Sequence, residues 1–276
     1  MVKPTVRPPV CADDRWYPAS PEALRHEVSD YIESAPALDV EGEVVGLVAP
    51  HAGYLFSGHV AGAGYRQVRG KRYDTVVLVG PDHRGIAAGG LAYADFDAWH
   101  TPLGDVPVDR ELITALDNRL SLRRIGRDSE HSLEVQVPFL QTALADFKLA
   151  PIIMGDPSPA ACRELGQAVA DMVGERKALL VASTDLSHYH PYDDAKRLDE
   201  RTLEYILDFD PEGLADALTR SQAHACGGAP VAAIMIAARD LGANQAHLVK
   251  YANSGDVWHD KDQVVGYAAV TLTRDQ

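Results

Sequence analysis

The sequence predicts an α/β protein: a single domain with a mostly parallel or mixed central sheet flanked by helices on both faces. Three observations carry this. Apolar runs recur at GLVA (46–49), VVLVG (76–80) and LLVAS (179–183), too continuous for half-exposed strands and as expected of parallel strands covered on both sides. Segments with apolar residues at helical spacing alternate with these runs, which is the pattern of helices packed on a parallel sheet. The 276 residues, 46% of them hydrophobic, suffice for one large core, and no linker divides them.

The elements follow in order. A proline-broken lead gives way at SPEALRHEVSDYIES (20–34) to a helix with Ser20 as cap and Pro21 in the first turn. Residues 1–40 are thus a lead and a helix, and 41–276 the core. A strand over 43–49 enters PHAGYLFSG, and the small residues of 58–68 allow a helix to pack closely on a sheet. A strand at 74–80 follows. Glycines and prolines break a weak alternation between 86 and 108 into short strands and turns, before a helix at 109–118. From Ser129 a capped helix is expected, kinked or broken by Pro138, then a strand at 147–155. Helix 158–173, strand 177–183, helices 192–207 and 211–219, a strongly apolar helix from 231 and strands near 246–252 and 264–272 complete the chain.

A formal charge of −14, from 40 acidic against 26 basic residues, argues against nucleic acid or anionic lipid as partners, since both would be repelled. The N-terminus lacks the apolar stretch of a signal peptide and nothing approaches a membrane span, so a cytoplasmic protein is expected. Cys11, Cys162 and Cys226 are spaced too widely for a disulfide framework.

The three apolar runs share an ending. Each leads into residues able to bind a metal or move a proton: His51, His83, and Asp185 with His188. Ligands bind beyond the carboxyl ends of parallel strands, so one edge would gather all four. Cys226, in AHACGGAP before a helix, can join the two histidines, with the helix dipole favouring its thiolate. It is as readily a small buried hydrophobe. A His51, His83, Cys226 set suits iron, copper or zinc rather than oxygen-seeking magnesium or calcium. Asp185 and His188 share a pocket if their segment turns helically; the carboxylate would then orient the imidazole as a base. Asp185 or Ser187 as a helix cap is the alternative. Glu130, His131 and Ser132 open the expected helix, where His131 is a further proton-transfer candidate and Glu130 and Ser132 fit ordinary capping. No glycine-rich phosphate loop is present.

Taken together, PHAGYLFSG, the GPDH turn, TPLGDVPVD, DSEHSLEVQVPFLQ, STDLSHY, ACGGAP and YANSGDV with VVGYAAV resemble the Memo family, known in microbes as AmmeMemoRadiSam system protein B. The resemblance spans about 46–272. It implies a fold similar to class III extradiol dioxygenases, non-heme iron enzymes that open catechol rings with two histidines and a carboxylate on the metal. The family's metal-site pattern falls on His51, His83 and Cys226, so a thiolate stands where those enzymes have glutamate, which puts ring cleavage in doubt and admits copper or zinc beside iron. The family name implies a functional link to a radical SAM protein and an AMMECR-type protein. Three functions fit these residues: a metal-dependent oxidoreductase acting on a small molecule or oxygen, a non-catalytic module binding a peptide or protein in the same cleft, and a metal- or cysteine-dependent hydrolase.

Overall fold

A computed structural model describes residues 4–38 and 42–275. The chain folds as strand β1 (Val6–Arg7), helix α1 (Pro21–Ser34), β2 (Glu43–Ala49), α2 (Tyr54–Arg66), β3 (Thr75–Pro81), the short strands β4 (Leu91–Ala94), β5 (Ala98–Thr101) and β6 (Gly104–Pro107), then α3 (Arg110–Leu120) and β7 (Arg123–Ile125). A 3₁₀ turn (Glu134–Gln136) leads into α4 (Val137–Ala143). Then come β8 (Lys148–Met154), α5 (Pro159–Val173), β9 (Ala178–Ser183), β10 (His188–His190), α6 (Tyr192–Leu207), α7 (Pro211–Thr219), α8 (Gly228–Asp240), β11 (Gln245–Asn253) and β12 (Val264–Arg274).

The main sheet runs β10-β12-β2-β9-β3-β8-β4-β7, with β11 also paired to β12. Its centre, β2-β9-β3-β8, is parallel, and β12 and β4 flank it antiparallel. The expected mixed sheet is therefore present, with the three continuous apolar runs side by side at its middle. β2, β9 and β3 are buried along nearly their whole length. Helix α8 lies over β2, β9 and β3 with α5 and α7 behind it, while α2 packs on β2, β11 and β12 with α1 and α4 behind. No helix among the described residues is long and apolar enough to cross a membrane.

Several boundaries depart from the sequence reading. Helix α2 begins at Tyr54 rather than 58. Its glycines serve a helix as well as the sheet: a Cβ at Gly62 would stand 2.6 Å from the Tyr31 backbone of α1. The helix expected from Ser129 starts only at Glu134, as a 3₁₀ turn leading into α4, and 129–133 is irregular because Glu130 turns its side chain back onto the N–H groups of His131 and Ser132. Pro138 breaks nothing: it sits in the first turn of α4, where a missing N–H costs no hydrogen bond. The lead packs against the rest of the chain. β1 joins β5 and β6 in a second small sheet, and Arg7, Cys11 and Tyr17 are all buried.

Candidate metal centre

Because β9 lies between β2 and β3, the segments leaving the three strands emerge next to one another. Together with the irregular 128–133 loop and the turn before α8 they line a cavity of about 610 Å³ that receives His51, His83, His131, Asp185, His188 and Cys226. All six residues singled out in the sequence thus reach one cavity. Gly227 permits the close turn that brings Cys226 in, since a Cβ there would stand 2.2 Å from the Ser183 carbonyl oxygen.

His51 is buried and held at one nitrogen. The Ser183 hydroxyl donates to the Ser132 carbonyl at 2.6 Å and accepts from Gln136 Nε2 at 2.8 Å. Its remaining lone pair faces His51 Nδ1 at 3.0 Å. The proton therefore sits on Nδ1 and leaves Nε2 with a free lone pair. His51 Nε2 meets Cys226 Sγ at 3.2 Å.

His83 is fixed by a carboxylate. Its Nδ1 donates to Glu130 Oε1 at 3.0 Å and its backbone N–H to Oε2 at 2.7 Å. Glu130 also accepts from the backbone N–H of His131 and Ser132. Burial opposes a charge on Glu130, but the His83 and Ser132 hydrogen bonds and the neighbouring imidazoles outweigh it and hold the carboxyl down to about 2. An imidazole donating to a buried carboxylate is the usual support of a metal-ligating histidine, here with Nε2 left over. The sequence reading treated Glu130 as a helix cap and missed this role. Glu130 lies 47 positions from His83, and no local signal spans that distance.

His131, rather than the expected Cys226, is the third member of the cluster, and Cys226 stands beside it through its contact with His51. One ligand atom from each of His51, His83 and His131 lies within 4.8 Å of the others. His131 stacks on Trp16 at 4.1 Å and on His83 at 4.7 Å between ring centroids. Its Nδ1 approaches Glu130 Oε1 to 3.3 Å without hydrogen-bond geometry and is a buried nitrogen lacking a partner. Burial and the neighbouring rings push both His51 and His131 down to about 3, so both are neutral imidazoles near pH 7. Neutral imidazoles with free nitrogens, an orphaned ring nitrogen and an adjacent sulfur fit a transition metal and not a hard oxygen-seeking ion.

Two expectations change here. The thiolate that the helix dipole was expected to favour is not stabilised. Burial and the Asp185 charge push the Cys226 thiol well above its usual range, outweighing backbone N–H donors. Nor does Asp185 orient His188, because the segment does not turn helically. His188 lies on β10 opposite Val265, and its Nδ1 donates to the Leu186 carbonyl at 2.8 Å. Asp185 instead accepts from the His51 backbone N–H at 2.8 Å, and burial pushes its carboxyl up to about 6. It caps no helix, since Pro191 precedes α6.

A family described as Memo-like protein matches residues 7–271. The chain belongs to the Memo family. MEMO1 family proteins cover nearly all of it: that of Methanosarcina mazei is 41% identical over 94% of this chain and 96% of its own. The one from Methanopyrus kandleri is 38% identical over the same shares, and that of Pyrobaculum aerophilum is 40% identical over 91% of each chain. Among solved structures, an uncharacterized protein of Escherichia coli K12 aligns with a TM-score of 0.49 and 13% identity over 73% of this Memo chain and 86% of that one.

Proposed function

We propose that the cavity holds one transition-metal ion on His51, His83 and Cys226, with His131 beside them as a fourth donor, and that the protein is a metal-dependent oxidoreductase acting on a small substrate or an oxygen species. The observation that carries this reading is the convergence of His51 and His83, each with Nδ1 already engaged, on the orphaned ring of His131. Bound there, iron or copper supplies electron transfer, and zinc would supply Lewis acidity alone.

The chain's own residues have separate tasks. Ser183 and Glu130 hold the two imidazoles so that no reorientation is needed. Trp16 covers one face of His131 and keeps water from it. His188, with Nδ1 donating to a carbonyl, offers Nε2 to take or return a proton at the cavity wall. Asp185 ties the strand-end backbone of β2 to the segment after β9.

Elemental analysis of protein purified without oxygen tests the assignment. Wild type is expected to carry about one iron or copper per chain, and His51→Ala to carry almost none. Stoichiometric metal in His51→Ala refutes the ligand assignment. Zinc as the resident ion, with full turnover, redirects the reading to hydrolysis, and ligand binding indifferent to metal removal redirects it to a binding module.

A further inference from the structure

The cavity mouth carries one cation. Arg84 directly follows His83 and is the only lysine or arginine among the residues lining the cavity. It is exposed, and its guanidinium forms no hydrogen bond or ion pair among the described residues. Acidic groups are near, so this isolation needs a reason. Asp82 spends both carboxylate oxygens on backbone: Oδ1 accepts from the N–H of Arg84 and Ile86, and Oδ2 from that of Ala87 at 2.7 Å. Glu130 is committed to His83 and the 131–132 backbone. The loop is thus pinned by its own acids, and the guanidinium of Arg84, which lines the cavity, has no hydrogen-bond or ion-pair partner among the described residues.

The cavity lining also includes the aromatic and apolar side chains of Tyr189, Val265 and Tyr267. Tyr189 is 69% exposed and held at φ +61°, a left-handed backbone that a bulky side chain rarely adopts. That conformation falls where β10 shifts register against β12 and presents the ring at the rim.

We infer that the cavity takes a small monocarboxylate with an apolar body, its carboxylate on Arg84 and its body against the Tyr189, Val265 and Tyr267 wall. This rests on the reading of the cavity as a substrate site. A single guanidinium matches a single carboxylate in charge and in its two-pronged geometry. A dianionic phosphate would bring one charge more than Arg84 offers, with Asp185 in the same cavity.

The test uses benzoate as probe, benzamide as its uncharged isostere and inorganic phosphate as a second anion, measured by calorimetry on the full chain as purified and after chelation. Benzoate is expected to bind at least ~10-fold more tightly than benzamide. Arg84→Gln is expected to weaken benzoate ~10-fold and leave benzamide unchanged, while Arg84→Lys restores part of the loss. Metal content in Arg84→Gln should equal that of wild type. Absence of benzoate binding, equal binding of benzoate and benzamide, or an Arg84→Gln variant that binds benzoate normally overturns the inference. Phosphate binding more tightly than benzoate, with the same dependence on Arg84, overturns the carboxylate assignment. The metal reading fails separately, through metal retained in His51→Ala.

Discussion

Arg7 shows how far from the cavity its geometry is decided. The side chain is buried, its Nε and Nη2 bind the Asp128 carboxylate at 2.8 and 2.6 Å, its Nη1 binds Glu134, and Nη2 also reaches the Glu130 carbonyl at 3.2 Å. The Trp99 ring lies 4.1 Å from the guanidinium. Glu134 in turn accepts from Val10 and Cys11 N–H and from the Tyr17 hydroxyl, so one network ties the lead to the loop bearing Glu130 and His131. Arg7→Met would leave two buried carboxylates without their cation. A loss of ~3–5 kcal/mol in urea unfolding is expected, and a loss under ~1 kcal/mol would show that the network carries little. None of this was legible in the sequence, because Arg7 lies 121 residues from Asp128 in a lead whose prolines mask its burial. His51 and His83 were legible, because each directly follows a buried strand and needs no distant partner to be noticed.

Among the elements, the long ones and the short strands between 86 and 108 were readable, and the two- and three-residue strands were not. β2, β3 and β9 declare themselves because burial on both faces demands an unbroken apolar run. β1, β7 and β10 hold two or three residues each, and they are strands only because a distant partner pairs with them. The 129–133 segment was misread for a related reason: its capping side chain serves His83 rather than a helix. The α1–α2 contact gives a prediction of its own. Alanine at Gly62 would improve helix propensity by ~1 kcal/mol, yet its Cβ would collide with the backbone and Cβ of Tyr31, all at 2.6 Å. Overpacking of this kind costs ~1–3 kcal/mol, and rigid backbone cannot step aside. Gly62→Ala is therefore expected to lower the thermal midpoint, and a raised midpoint would mean that the helices separate more easily than their packing implies.

For the whole molecule, the imidazoles and Glu130 set the response to acid. His51 and His131 fall from 6.5 to about 3 on folding, so as pH drops below 6.5 the unfolded chain takes up protons first and stability declines towards pH 3. Glu130 falls from 4.5 to about 2. Its contribution is present above pH 4.5 and is lost as pH falls towards 2, in the same direction. Metal-free protein is expected to lose urea resistance steadily from pH 7 to pH 4, with a shallower slope in His131→Gln. An equal slope in both proteins would place the acid sensitivity elsewhere. At this scale the sequence conveyed the fold class and the shared rim, since both follow from element type and order. It did not convey the division of labour within the rim, where the partner of each imidazole depends on side-chain placement across separate strands.

β12 lies between β2 and β11 and supplies Val265 and Tyr267 to the cavity. A nascent polypeptide that has emerged only as far as Asp262 therefore exposes an open β2 edge and a roofless histidine cluster. A chain truncated before Val264 should therefore keep all four candidate ligands while lacking the part of the cavity lining that Val265 and Tyr267 supply.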